Sequence, residues 1–342
     1  MKIIVDAMGG DHAPQEIVRG ALEAHAKYGY EIVLVGREAE LRACAGELPA
    51  GVSICHATEV VEICDDPATA FKKKKDSSLT VGLKLLKEGG GDGFVSAGST
   101  GALLSAATLL VKRIPGVRRA AMAPVIPTAA GRMVLCDCGA NAECTVEYLT
   151  QFAVLGSIYA EQVLGMENPR VALLNIGAEP SKGDTLRRET YTALGELADG
   201  GSINFIGNVE PKEAMLGAAD VLVADGFSGN VMLKTVEGVA GFMGKGIRQM
   251  FMASARTKLA ALLVRDGLRD FKAQLDPNKV GGTAILGITK PVIKAHGSSN
   301  AEAVCNAIRQ AAENAAADVA GEMEKYLPER NGKKAEKPID SE

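Results

Sequence analysis

Six short segments rich in glycine and small polar residues, 6–11, 96–101, 137–141, 175–184, 225–230 and 296–300, constrain this fold more than anything else in the chain, because most stand directly behind an apolar run of strand length. Open parallel α/β sheets bind ligands outside the carboxyl ends of their strands, where backbone N–H groups and helix N-termini hold anions. If the runs form one parallel sheet, the loops gather at one edge. A site for a polar small molecule is the expectation.

The runs 2–8, 32–35, 52–55, 94–96, 122–126, 133–138, 171–176, 203–206, 221–224 and 291–295 read as strands. Helical spacing fills the intervals, as in 79–86, 102–111, 146–164 and 301–319. Strand and helix therefore alternate over most of the chain, which predicts a three-layer α/β/α, doubly wound, mostly parallel sheet. At 342 residues the chain has room for a substantial core. The expected division is one α/β catalytic body over 1–328, interrupted by a helical hairpin over 231–280, and a disordered charged tail over 329–342.

The hairpin is where alternation stops. Val236, Val239, Met243, Ile247 and Met250, then Val264, Leu268, Phe271 and Leu275, form two apolar helical stripes. From Gly241 to Lys272 there are seven cations (Lys245, Arg248, Arg256, Lys258, Arg265, Arg269, Lys272) and two acids (Asp266, Asp270), +5 in a chain that totals −4. A basic face beside an apolar stripe suits a membrane surface or an acidic partner, and a dimer helix with a solvated charged face explains it equally.

Composition removes several function classes. Aromatic content of 4% with no Trp, and an overall acidic balance, disfavour nucleic-acid binding. Seven scattered cysteines and no recognisable signal peptide read as reduced thiols of a cytosolic protein. The spacing of Cys136, Cys138 and Cys144 differs from paired zinc ligands, and no apolar run reaches the length of a membrane span. There is no P-loop, no well-placed Gly-x-Gly-x-x-Gly and no Gly-x-Ser-x-Gly; Gly226-Phe-Ser-Gly229 is one residue short of that last motif.

What remains is loop chemistry. Lys182 sits in a Gly/Pro-rich turn ahead of a helix opening near Thr185, either a phosphate ligand or a solvated surface lysine. Asn230, with Ser228 in the same turn, is either an amide donor or the cap of a helix starting at Val231. Asn141 is an oxyanion donor or a turn residue. His296 closes an apolar run, suited to an acid or donor and equally to a structural part. The cation run 72–75 is a solvated helix end or an anion attractor at a mouth.

In wording and order these loops resemble the bacterial acyl-carrier-protein:phosphate acyltransferases of phospholipid synthesis. Asp6-Ala-Met-Gly-Gly-Asp-His-Ala-Pro14, Lys74-Lys-Asp-Ser-Ser78, Val95-Ser-Ala-Gly-Ser-Thr-Gly101, Asp137-x-Gly-Ala-Asn141, Asn175-Ile-Gly-x-Glu179 with Lys182-Gly183, Ala224-Asp-Gly-Phe-x-Gly-Asn230 and His296-Gly-x-Ser299 carry the resemblance, over about residues 1 to 325. Ser99 stands where the family pattern expects Asn, and Ser228 varies among relatives.

The resemblance implies a fold similar to isocitrate and isopropylmalate dehydrogenases and phosphotransacetylase, and a homodimer without cofactor or metal. It implies transfer of a long-chain acyl group from acyl-carrier protein to inorganic phosphate, feeding a membrane glycerol-phosphate acyltransferase, with cytoplasmic placement and peripheral membrane association through the hairpin. On that reading Lys182 and loop amides hold phosphate, Asn141 or Asn230 supports the oxyanion, and His296 assists the leaving sulfur. Asp6, Asp137 and Asp225 organise the loops. Asp11, Lys74, Ser77, Ser96, Ser99, Glu179 and Ser228 complete the expected substrate contacts. The rivals are a phosphotransacetylase acting on a short acyl-CoA, a decarboxylating dehydrogenase, and a noncatalytic membrane scaffold.

Overall fold

A computed structural model of the chain describes residues 1–274 and 281–326. The tail predicted over 329–342, and residues 275–280 of the predicted hairpin, lie outside the described residues.

The first third of the chain supplies β1 (Lys2–Asp6), β2 (Glu31–Gly36), β3 (Val52–His56) and β4 (Gly93–Ser96). Then come β5 (Ala121–Ala123), β6 (Val125–Thr128), β7 (Gly131–Cys136), β8 (Arg170–Leu174), β9 (Asn204–Val209) and β10 (Val221–Val223). The chain returns through β11 (Gly282–Leu286) and β12 (Val292–Ala295). The architecture is α/β and mostly parallel. Its strands divide into two sheets, ordered β3-β2-β1-β4-β12-β11-β5 and β6-β7-β10-β8-β9.

This corrects the assumption of one sheet with one loop edge. β5 and β6 flank Pro124, and pairing continues across the break, with Leu135 N donating to Pro124 O at 3.0 Å and Cys138 N to Met122 O at 3.0 Å. One short stretch of chain thus belongs to both sheets, and its proline has no N–H to offer a ladder at the junction. Because β11 pairs antiparallel with both β12 and β5, and β6 antiparallel with β7, strand direction reverses between the two parallel sets. Their carboxyl ends therefore produce two groups of loops.

Each sheet is covered on both faces. Helices Gln15–Tyr28 and Ala301–Ala316 pack together on one face of the first sheet, so closely that a Cβ at Gly20 would lie 2.4 Å from Ala301 O. The opposite face buries Ile4, Val33, Val35, Phe94 and Val292 with Leu79, Leu83 and Leu103 of helices Ser78–Lys87 and Thr100–Ala106. In the second sheet, Val134, Cys136, Val171 and Val221 meet Phe152 and Leu155 of helix Val146–Gln162. The same apolar cluster includes Ile3 and Val5 of the first sheet, so the two halves share a core.

The hairpin begins as the 27-residue helix Gly226–Met252, about 40 Å long at 1.5 Å per residue. Only Gly226, Gly229 and Met232 of it are buried. Ser254 opens the return with a capping box, followed by helices Ala255–Leu263 and Arg265–Gln274. Val239, Phe242, Met243, Met250, Leu259, Leu262 and Leu263 are exposed. Among the described residues no helix is long and apolar enough to cross a membrane.

Candidate functional site

The first loop group stands on β1, β4 and β12, in which Asp6, Ser96 and Lys294 are register partners in a row across adjacent parallel strands. Asp6 is buried and accepts from Ser96 Oγ at 2.6 Å and from Met8 N at 3.3 Å. Burial raises its pKa above the ordinary carboxylate value, while hydrogen bonds from Ser78, Ser96 and the amides of Met8 and Gly9 pull it back. Ser96 Oγ also accepts from Gly98 N at 3.1 Å, and Asp11 N donates to Gly297 O at 2.8 Å. Asp6 and Ser96 therefore hold the glycine loops in register. Gly10, at φ +108°, is wedged where a Cβ would meet Ala97 Cβ at 2.9 Å, which is why the turn demands glycine.

Other first-group residues fall into different positions. His296 is exposed, and its Nδ1 lies 2.9 Å from Ser298 Oγ of its own loop. Ser99 occupies the N-cap position of helix Thr100–Ala106 without a side-chain cap bond. Ser77 caps helix Ser78–Lys87 by accepting from Thr80 N, and its hydroxyl donates to Lys74 O at 2.8 Å. Lys74 is engaged by Asp65 at 2.6 Å and Val60 O at 2.8 Å, tied to the 60–65 loop instead of the glycine loops.

The second group stands on β7, β8 and β10. Asp137 is fully buried and accepts from the amides of Met122 (2.8 Å), Cys138 (2.6 Å) and Asn141 (2.7 Å) and from Asn141 Nδ2 (2.9 Å). Asn141 Nδ2 donates its other hydrogen to Ala120 O at 2.8 Å. Both hydrogens of that amide are engaged, so Asn141 pins the loop and has none left for an oxyanion. Asn230 differs. The long helix starts at Gly226 under an Asp225 cap, five residues earlier than Val231, so Asn230 lies within the helix instead of capping it. It is exposed, Cys138 Sγ donates to its Oδ1 at 4.0 Å, and its Nδ2 has no acceptor among the described residues.

Gly226 and Gly229 make this junction possible. A Cβ at Gly229 would lie 2.0 Å from Asp137 O, and one at Gly226 would lie 2.6 Å from Asn141 O. The glycine pair that falls one residue short of a nucleophile elbow thus lets a helix N-terminus sit directly on the 137–141 loop.

Arg187 joins the two helix starts of this group. It donates to Asp184, the cap of helix Thr185–Asp199, at 2.9 Å, to Ser228 Oγ at 3.2 Å, and to the Asp225 carboxylate. Lys182 is exposed beside Glu179 around Gly177 and makes no ion pair among the described residues. Lys182, in the 175–184 loop, and Asn230, near the start of the long helix, therefore make no direct hydrogen bond among the described residues and are linked through Asp184, Arg187 and Ser228.

The two groups share an electrostatic neighbour. Lys234, one helical turn after Asn230 and paired with Glu237 at 2.7 Å, influences both Lys294 of the first group and Cys138 of the second. Burial pushes the Cys138 thiol up to about 12 and the Cys144 thiol up to about 11, so neither supplies a thiolate near neutral pH.

Sequence reasoning passed over Arg187, Lys234 and Lys294. For Lys294 the signal was present: a single cation inside the apolar run Pro-Val-Ile-Lys-Ala, hidden there because the run was read as a strand and not position by position.

Comparison with known proteins places these features in context. The sequence model of a family described as "Fatty acid synthesis protein" matches residues 1–322. A protein named "Phosphate acyltransferase" from Desulfitobacterium hafniense strain DSM 10664 / DCB-2 is 46% identical over 331 residues, covering 96% of this chain and 98% of its own. Another of that name, from Geobacillus thermodenitrificans strain NG80-2, is 45% identical over 329 residues, covering 96% and 99%. Among solved structures, "EutD phosphotransacetylase from Staphylococcus aureus" aligns with a TM-score of 0.63 at 19% identity, over 92% of this chain and 94% of that one. A phosphotransacetylase from Streptococcus pyogenes gives 0.60 at 20% identity, over 95% and 94%. At such identities these structures establish the fold alone.

Proposed function

The chain belongs to this fatty acid synthesis family of phosphate acyltransferases and is an acyltransferase, and from that premise we propose that it moves a long-chain acyl group from acyl-carrier protein to inorganic phosphate. The observation that carries this reading is the Asp137–Asn141–Asn230 junction, where a free amide donor stands over a loop locked by four hydrogen bonds to one carboxylate. A donor on so firmly bonded a platform suits charge that develops on a thioester carbonyl oxygen.

In the proposed reaction an oxygen of hydrogen phosphate attacks the thioester carbon. The new C–O bond replaces the C–S bond, and the proton of the phosphate hydroxyl ends on the departing sulfur, giving acyl phosphate and free carrier thiol. Asn230 supports the oxyanion while Asn141 and Asp137 hold its platform. Lys182 draws phosphate to the mouth, and exposed His296 relays the proton toward sulfur. A thiol of ordinary pKa, about 8.5, leaves without a strong acid, so positioning and charge stabilisation suffice. The protonated Cys138 and Cys144 favour this direct attack over an acyl-cysteine intermediate.

The exposed apolar and basic surface of the hairpin supports peripheral attachment to an anionic membrane from the cytoplasmic side, where a glycerol-phosphate acyltransferase would consume the product. The same cations suit an acidic carrier protein. A homodimer completes the reading.

The test compares release of free thiol from palmitoyl-carrier protein and from acetyl-CoA, each with and without added phosphate. Phosphate-dependent release from the long-chain carrier thioester is expected. Preference for acetyl-CoA would make the chain a phosphotransacetylase, and no phosphate-dependent release from either would leave only a scaffold.

A further inference from the structure

Among the described residues Lys294 is the only lysine or arginine buried from solvent, and the reaction above gives it no task. It leaves β12 at the level of Ser96 and Asp6, and its ammonium donates to Ala97 O at 3.4 Å and to Ala295 O. An ammonium has three hydrogens, so two carbonyls leave one for another acceptor.

A buried cation ordinarily has a carboxylate bonded to it. Lys294 makes no ion pair among the described residues, although Asp6 and Asp11 are near enough for their charge to favour its ammonium. Asp6 directs its oxygens to Ser96, Ser78 and the amides of Met8 and Gly9 instead. Asp11 is exposed on the loop, held through its backbone to Gly297. Burial, reinforced by Lys234, brings the Lys294 amine down to about 8.

Its surroundings add a second, independent observation. The loops over Lys294 approach backbone to backbone, with a Cβ at Gly10 meeting Gly297 O at 3.1 Å. Ser299, three-quarters of the way along the loop that follows Lys294, is buried with a hydroxyl that has no partner among the described residues. A cation lacking a bonded counter-ion and an orphaned hydroxyl on one loop both ask for an anionic ligand.

We propose that Lys294 is a phosphate-binding residue, its ammonium serving as counter-ion to the attacking inorganic phosphate beneath the glycine loops of the first sheet. The assignment rests on the acyl-transfer reading and deepens it. Lys182 is then the outer cation and Lys294 the inner one, with Lys234 between the two loop groups.

The test uses the full chain and its Lys294→Met and Lys294→Arg variants, with inorganic phosphate as the probe. Phosphate is varied in the turnover assay at saturating carrier thioester, and its binding alone is followed by calorimetry. Lys294→Met is expected to raise the phosphate KM and Kd roughly ten- to hundredfold, the range for losing a hydrogen bond from a charged donor, with little change in the thioester KM. Lys294→Arg, which keeps the charge, is expected to recover most of that affinity. Wild-type phosphate affinity in a folded Lys294→Met protein overturns the proposal, as does an equal loss in both variants, which would make the residue a space-filler.

If neither variant folds, the wild type still decides. Its phosphate affinity is expected to fall as pH rises through about 8, where the amine surrounded by Asp6, Asp11 and Lys234 loses its proton. Phosphate is largely a dianion there, so a flat affinity as pH is raised from roughly one unit below that midpoint to one unit above it overturns the proposal. Phosphate binding without phosphate-dependent thiol release would sink the acyl-transfer reading alone, whereas normal turnover with an indifferent Lys294→Met would sink this assignment alone.

Discussion

Gly229→Ala places a methyl group 2.0 Å from Asp137 O, backbone against backbone, where no side chain can swing away. Ordinary C···O contacts lie near 3.3–3.6 Å, so helix and loop must separate by about 1.3 Å. The loop resists, because Asp137 is bonded by three amides and the Asn141 side chain. The cost belongs at the upper end of overpacking penalties, about 3 kcal/mol. At roughly 2 °C per kcal/mol for a chain of this size, Tm should fall about 6 °C. Asn230 rides on the displaced turn, and a shift of about 1 Å at a reacting group lowers kcat on the order of a hundredfold.

Gly195→Ala is the matched control. It lies in helix Thr185–Asp199 with no heavy atom within 4 Å of a built Cβ, so the change should stabilise by about 0.8 kcal/mol through helix propensity and leave kcat alone. Thermal unfolding and phosphate-dependent thiol release read both variants. A Gly229→Ala protein with wild-type Tm and kcat would refute the reasoning that this glycine seats the helix on the site.

Lys182→Ala should raise the phosphate KM roughly three- to tenfold with Tm unchanged, because an exposed cation contributes through a screened field; an identical phosphate titration removes its role. Asp220 is held below the usual carboxylate range by its hydrogen bonds from Arg170, 2.9 Å away. A depressed folded pKa means stability present above about pH 4 and lost as pH falls through the folded value, and at this partly exposed pair it amounts to under about 1 kcal/mol. Urea midpoints between pH 2 and 6 should therefore decline less steeply toward acid in Arg170→Ala, and an unaltered slope contradicts that origin. Sedimentation with anionic vesicles should capture the protein at low salt and release it at high salt, and a Phe242→Ser, Leu262→Ser, Leu263→Ser variant should stay in the supernatant; indifference to lipid would hand the hairpin to protein contacts.

Much of the fold was legible because local periodicity and burial agree. The Ile3–Val5 and Val33–Val35 strands, the helix behind Pro14, and the Thr185 helix start all follow from patterns a few residues long. The two-sheet division was not, since it depends on β11 entering antiparallel between β12 and β5, a pairing between segments about 160 residues apart that no local pattern encodes. Loop positions were visible while side-chain duties were not. Asn141 and Asn230 look alike in sequence, and only Ala120 O and Asp137 reveal that one amide is already engaged. Of the two alternatives for Asn230, the cap fails because Asp225 performs that task five residues earlier. Lys74 was read by its motif, whereas Asp65 determines where its charge is used.

The central claim is that the glycine loops of both sheets serve one phosphate-dependent acyl transfer. A structure of the protein with inorganic phosphate tests it most directly. Phosphate oxygens should stand at hydrogen-bond distance, about 3 Å, from Lys294 Nζ. Phosphate seated only on the exposed Lys72, Lys73 and Lys75, with the glycine loops vacant, would contradict the account.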